Sequence, residues 1–240
     1  MKTDAPATEW GRKAAGLYHA GYARRYREHD DALAEVEIYG AFSQWLRGAC
    51  LAFDVPIDVL DLGCGTGRYF AVLPNVRSLV GIDASAAMLA EAGRPLHGDR
   101  VAIASIELIE GDFLTHEFAA ARFDLVYSVG VLAEHTPLDA RIVGRVARWL
   151  RPGGRFVFTT VHPESPSIPR TIGRSVGTAI APWTSGAVRA WLRHRILGRG
   201  LYADEARIHE LLDPHFAIES LTRMHSEAHL HALCVARQTA

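Results

Sequence analysis

Val59-Leu-Asp-Leu-Gly-Cys-Gly-Thr-Gly-Arg-Tyr-Phe70 is the stretch whose reading decides the fold. Residues 59–62 have the composition of the end of a buried strand, and Gly63, Gly65 and Gly67 follow as a turn into a helix. Glycine lacks a Cβ and tolerates positive φ, so such a turn lets backbone approach a ligand closely. A nucleotide-like ligand is expected here, and the glycine spacing together with Asp61 bears on which one.

Downstream, β-rich runs at 78–82, 104–109, 123–129 and 155–161 alternate with helical stretches at 68–73, 84–92 and 139–150. That alternation predicts an α/β fold, a parallel sheet covered on both faces. Arg151-Pro-Gly-Gly154 ends the third helix with residues a helix does not pass through. A helix at 203–212 and strands at 215–222 and 229–236 complete the chain. Upstream, residues 11–48 are helical in pattern, with Tyr18, Tyr22 and Tyr26 at helical spacing. Their stripe packs on the main domain or forms a flap whose hydroxyls touch the ligand.

The chain has 240 residues, enough for one large domain with a sizeable core. We expect one domain: a helical flap over 1–50, a ligand-binding core over 56–162, an inserted cover over 163–200 and a terminal helix with strands over 201–240. With 26 Lys plus Arg against 27 Asp plus Glu, no global field attracts nucleic acid. Three widely spaced cysteines, Cys50, Cys64 and Cys234, argue for a reducing compartment and against a disulfide framework. No segment has the composition of a signal peptide or membrane span, so a cytoplasmic location is expected.

In open α/β sheets the ligand lies beyond the carboxyl ends of the strands. Asp61, Asp83, Asp112 and Glu134 fall at or after those ends. Asp83 suits a carboxylate accepting from ribose hydroxyls. Gly63-Cys-Gly-Thr-Gly67 has the spacing G-x-G-x-G, not the G-x-G-x-x-G of dinucleotide folds, and Asp61 would repel a pyrophosphate. A ligand bearing an ammonium suits Asp61 better, and Asp112 suits an exocyclic amine. Ribose, adenine and a charged amino acid together describe S-adenosylmethionine.

Residues 56–161 resemble the class I S-adenosylmethionine-dependent methyltransferases of small-molecule type. The motifs are the glycine stretch, Val80-Gly-Ile-Asp-Ala-Ser85 with Met88, Glu110-Gly-Asp-Phe113, Phe123-Asp-Leu-Val-Tyr-Ser128 and Leu150-Arg-Pro-Gly-Gly154. The resemblance implies a doubly wound, Rossmann-like, seven-stranded sheet whose last strand is antiparallel. It also implies that Asp61 and Gly63, with Cys64 and Gly65, hold the methionine part. Asp83 would hold the ribose, Ala84 and Met88 the adenine, Asp112 and Phe113 the adenine amine and ring, and Ser128 a further cofactor contact.

Methyl transfer needs positioning, exclusion of water and, for some acceptors, a base. The base candidates are Glu134, His135 and His162, and histidine's ordinary pKa suits the task. Glu134 could instead cap Asp139 and neighbouring amides. No ligand spacing for a metal accompanies these residues, and His225, His229, His231 with Cys234 form a weaker group. Residues 165–203 hold Arg170, Arg174, Arg189, Arg193, Arg195 and Arg199 and no acid. This cover would hold an anionic acceptor, form a solvated face, or bring the enzyme to a membrane surface and a lipid-linked acceptor. The expected function is O- or N-methylation of a small molecule. The alternative in a different class is a non-catalytic S-adenosylmethionine-binding partner subunit.

Overall fold

A computed structural model describes residues 6–33, 37–166, 168, 201–225 and 229–239. The arginine-rich stretch 169–200 lies outside them, so the expected cover has no structural counterpart among the described residues.

Three helices come first: α1 (Glu9–Leu17), α2 (Ala20–Leu33) and α3 (Glu37–Leu51). The alternating part follows as β1 (Ile57–Leu62), β2 (Val76–Asp83), α4 (Ala86–Ala92), β3 (Ser105–Glu110), β4 (Phe123–Ser128), α5 (Ala140–Trp149) and β5 (Leu150–Val161). Helix α6 (Glu205–Leu212) and strands β6 (Phe216–His225) and β7 (Leu230–Gln238) close the chain. The seven strands form one sheet in the order β3-β2-β1-β4-β5-β7-β6. Strand β7 runs antiparallel to both β5 and β6, and the β1, β2, β3, β4 and β5 pairings are parallel. The expected doubly wound sheet and its antiparallel last strand are therefore present.

Side chains alternate across the sheet and both faces are covered, as parallel strands require. Leu60, Val126, Phe156 and Phe158 point to the face packed by Ile142, Val146 and Trp149 of α5 and Ile208 and Leu212 of α6. Val59, Leu125, Tyr127 and Val157 point to the face packed by Phe42, Leu46 and Cys50 of α3. Full burial of each large apolar side chain contributes about 1.5–3 kcal/mol before the entropy of ordering is subtracted. Among the described residues, no helix is long and apolar enough to cross a membrane.

Two local expectations are corrected. Residues 68–73 do not form an α-helix; one 3-10 turn, Phe70–Val72, stands there. Pro74 disfavours the α region at the residue before it, and Leu73 is extended (φ −87°, ψ 104°), so the turn stops at Val72. The glycine loop is therefore not followed by an α-helix whose N-terminus could face a pyrophosphate. At the other end of the domain, Arg151-Pro-Gly-Gly154 belongs to the start of β5. Arg151 reaches Asp124 at 2.6 Å and Asp58 at 3.0 Å, fastening β5 to β4 and β1 at the end of the sheet opposite the glycine loop.

Candidate active site

Where the order of strands reverses, between β1 and β4, a cleft opens beyond their carboxyl ends. The cavity there has a volume of about 620 Å³, within the usual range for small-molecule sites. Its floor is the glycine loop. Gly63 has φ of +74°, and a Cβ there would stand 2.6 Å from the Val131 side chain, which already occupies the space a side chain would need.

Asp61 ends β1 beside Tyr127 of β4, to which it is registered. The Tyr127 hydroxyl donates to Asp61 Oδ2 at 2.6 Å. Burial raises the Asp61 carboxyl to about 8, against the lowering effect of that hydrogen bond and with a further rise from the charge of Asp83. Among the described residues, no cation contributes to the Asp61 pKa, although an opposite charge would favour its ionised form. Asp83 accepts the Gly65 N–H on Oδ2 at 3.0 Å and the Ser85 N–H on Oδ1 at 2.9 Å. Burial raises its pKa and these amides counter the rise. Two lone-pair positions of the carboxylate remain for hydroxyl donors. Ser85 caps α4 by accepting the Met88 N–H at 3.2 Å and donates to the Tyr18 carbonyl at 2.6 Å.

Asp112, after β3, has Oδ1 on the Leu114 N–H at 2.9 Å and Oδ2 on Thr8, the residue that caps α1. The first helix thus rests on the carboxylate expected at the adenine amine. Helix α2 is held to the glycine loop by buried Asp30, which accepts from the Thr66 hydroxyl and pairs with Arg68. The Arg68 guanidinium lies 5.0 Å from the centre of the Tyr26 ring. These ties set Trp10, Tyr18, Tyr22 and Tyr26 as a roof over the cavity, the flap alternative for the tyrosine stripe.

Of the residues singled out in the sequence, Asp61, Gly63, Cys64, Gly65 and Asp83 line this cavity, and so do Ala84, Met88, Asp112, Phe113, Glu134 and His135. Ser128 and His162 do not. The Ser128 hydroxyl is buried and donates to the Leu62 carbonyl at 2.9 Å, tying β4 to β1. His162 follows β5 on the face of Phe156 and Phe158, turned toward α6. Its Nε2 lies 3.1 Å from Glu205 Oε2, and its Nδ1 accepts the Glu164 N–H at 3.1 Å. It lines a separate hollow with Arg223 and Asp204. Thr159 of β5 takes the place expected of it, on the cavity side, where its hydroxyl accepts the Gly130 N–H at 2.9 Å.

Glu134 is half-buried, and burial raises its carboxyl to about 7, with Arg68 lowering it. Capping of α5 is done by Asp139, which accepts the Arg141 and Ile142 N–H groups at 3.0 Å, and not by Glu134. His135 Nε2 lies 3.6 Å from Glu134 Oε1. Desolvation lowers the His135 pKa, and His229 and Lys13 lower it further. His229 and His231 also line the cavity, although the sequence pattern grouped them only as a weaker metal candidate. Burial, then His229, lowers His231 to about 4. The signal was their i, i+2 spacing on one strand, legible only once β7 is known to lie beside β5. Among the described residues, no three His, Cys, Asp or Glu side chains are grouped to hold a metal.

Residues 59–154 match the protein family described as "Methyltransferase domain". Those residues carry a methyltransferase domain. This methyltransferase domain is 40% identical over 111 residues to a malonyl-[acyl-carrier protein] O-methyltransferase of Enterobacter lignolyticus, covering 45% of this chain and 40% of that protein. It is 36% identical over 100 residues to a trans-aconitate 2-methyltransferase of Deinococcus radiodurans, covering 40% of this chain and 35% of the other. The chain thus spans well under two thirds of the curated relatives it matches. In fold, the methyltransferase is similar to the magnesium protoporphyrin IX methyltransferase of Synechocystis PCC 6803 solved with bound S-adenosylmethionine. The TM-score is 0.65 at 15% identity, over 98% of this chain and 100% of that one.

Proposed function

We propose that this chain is an S-adenosylmethionine-dependent methyltransferase acting on an oxygen or nitrogen of a small molecule. The observation that carries the reading is the pair of desolvated carboxylates, Asp61 and Asp83, at adjacent strand ends beneath one cavity. Asp61 would pair with the methionine ammonium, which its environment lacks. The Gly63 turn offers backbone at close range, with Cys64 and Gly65 beside it. Asp83, already oriented by two amides, would accept from the ribose hydroxyls. Ala84, Met88 and Phe113 would pack the adenine, and Asp112 would take its amine on a lone pair that Thr8 and Leu114 leave open.

When bound, the cofactor supplies an electrophilic methyl group on a sulfonium. The chain's own residues hold the two reactants together, keep water out beneath the tyrosine roof, and take up a proton where the acceptor must lose one. Glu134, with its carboxyl near neutrality, and His135, held toward its neutral form, are the groups placed for that proton. A second reading, an anionic acceptor, draws support from the trans-aconitate named for the Deinococcus relative. The arginines that would hold such an acceptor lie outside the described residues.

Calorimetric titration with S-adenosylmethionine, S-adenosylhomocysteine and NAD tests the proposal. S-adenosylmethionine and S-adenosylhomocysteine should bind, and Asp83→Ala should weaken both by roughly 10- to 100-fold, the worth of a hydrogen bond to a charged group. Binding of NAD in their place, or wild-type affinity in Asp83→Ala, would sink the assignment.

A further inference from the structure

Much of the cavity is walled by rings. Tyr22 and Tyr26 lie stacked, with centroids 6.0 Å apart and planes inclined by 27°. Tyr18 meets Tyr22 edge-on at 5.1 Å and His135 edge-on at 5.9 Å. On the opposite wall His229 and His231 stand 5.4 Å apart, and His231 meets Phe42 edge-on at 5.4 Å. All of them face one space, although they come from the end of α1, from α2, α3 and β7, and from the loops after β4 and before β7. Such a box presents ring faces and edges at distances suited to a further planar ring.

Charge points the same way. His231 and His135 are held toward their neutral forms, so neither supplies a cation at neutral pH. The guanidinium on the described wall, that of Arg68, is engaged by Asp30 and stands over Tyr26. The cavity is further lined by His29 and His229 and by four acids, Asp61, Asp83, Asp112 and Glu134. An anion would find repulsion on this wall, whereas an uncharged ring would find stacking partners and a proton acceptor.

We propose that the acceptor is a planar hydroxy-aromatic molecule, methylated on a ring oxygen whose proton passes to the Glu134 carboxylate. The inference rests on the S-adenosylmethionine reading above. Glu134 follows β4 beside Gly130, and its side chain faces the cavity next to His135. In the step, the acceptor O–H bond breaks and its proton goes to Glu134. The oxygen forms a bond to the methyl carbon as the sulfur–methyl bond breaks, and that bond's electron pair leaves with sulfur as S-adenosylhomocysteine. No other reactant is needed. Tyr22 and His231 select the acceptor by ring contact, and Glu134 selects a hydroxyl acidic enough to hand over its proton.

The test is a binding titration of the S-adenosylhomocysteine-loaded protein with umbelliferone, naphthol and catechol, and with trans-aconitate as the anionic comparison. Umbelliferone absorbance also distinguishes phenol from phenolate. At least one hydroxy-aromatic should bind at least about tenfold more tightly than trans-aconitate. Tyr22→Ala should weaken it by about fivefold, while Tyr22→Phe, which keeps the ring, should retain wild-type affinity. Glu134→Gln should keep ring binding but lower the pH at which bound umbelliferone ionises, because a carboxylate beside the hydroxyl opposes the phenolate charge. Tighter binding of trans-aconitate overturns the proposal, as does an affinity untouched by Tyr22→Ala or an ionisation profile untouched by Glu134→Gln. Absence of S-adenosylhomocysteine binding overturns the cofactor reading and this one together. Binding of S-adenosylhomocysteine without any hydroxy-aromatic overturns the acceptor class alone.

Discussion

Thr8 donates its backbone N–H at 2.8 Å and its hydroxyl at 2.6 Å to the same oxygen of Asp112, a residue 104 positions away. The same threonine caps α1 by accepting the Gly11 N–H at 3.1 Å. One side chain therefore both starts the first helix and fastens it to the end of β3, at the edge of the cavity. Replacing Thr8 with Ala should cost about 1 kcal/mol of local stability. Hydrogen exchange across Glu9–Leu17 should then quicken by roughly fivefold while exchange in the sheet stays as it was. Unchanged exchange in α1 would show that the latch is not what holds it.

Asp61 makes stability depend on pH in a definite direction. Its carboxyl is raised from an ordinary 3.8 to about 8, so between those values the folded chain binds more protons than the unfolded one. The ligand-free protein should therefore lose stability as pH climbs through that window. Asp83, also raised, and Glu134, raised to about 7, add to the slope with the same sign. Calorimetric unfolding at about pH 5 and about pH 8 should show a smaller difference in Asp61→Asn than in the wild type. Equal differences would mean that Asp61 is already ionised in the empty site.

Cofactor binding should reverse that proton uptake. An ammonium beside Asp61 favours the carboxylate, so binding near neutrality releases a proton. The apparent binding enthalpy of S-adenosylhomocysteine should then vary with the ionisation enthalpy of the buffer, and vary less in Asp61→Asn if that variant still binds. Buffer-independent heats in the wild type would remove the proposed pairing.

Asp30 is wholly buried and serves both Thr66 and Arg68. Asp30→Ala would leave a shielded guanidinium without its carboxylate, at a cost of about 3–5 kcal/mol. Adding Arg68→Met should recover much of that stability, because it removes the stranded charge. Urea unfolding measures both, and a double variant no more stable than Asp30→Ala would assign the loss to the Thr66 contact.

His162 should behave as a residue of the α6 side. His162→Gln breaks its link to Glu205 and should destabilise by about 1–3 kcal/mol. Because it stands outside the cofactor cavity, S-adenosylhomocysteine affinity should stay within about twofold. A tenfold loss of affinity with normal stability would return His162 to the active site.

The donor half of the site was legible in the sequence because each part is local. A glycine turn or a strand-end carboxylate is encoded within a few consecutive residues, and strand–helix alternation then sets where they meet. Helix 68–73 was misread because its apolar residues suit a helix, whereas Leu73, before Pro74, is extended and the segment keeps only a 3-10 turn. Ser128 and His162 stand outside the cavity lining for another reason. A strand turns successive side chains to opposite faces, and which face meets the ligand is set by the packing of α5 and α6.

From the sequence alone came the fold class, the strand-end carboxylates Asp61, Asp83 and Asp112, and the methyl-donor chemistry, since these rest on short-range spacing and backbone conformation. Only the tertiary structure decided that Tyr18, Tyr22 and Tyr26 roof the cavity, that His229 and His231 form its far wall, and that Thr8 closes on Asp112. Those relationships join residues far apart in the chain. They are set by which apolar faces must be buried against each other, and no local pattern records that choice.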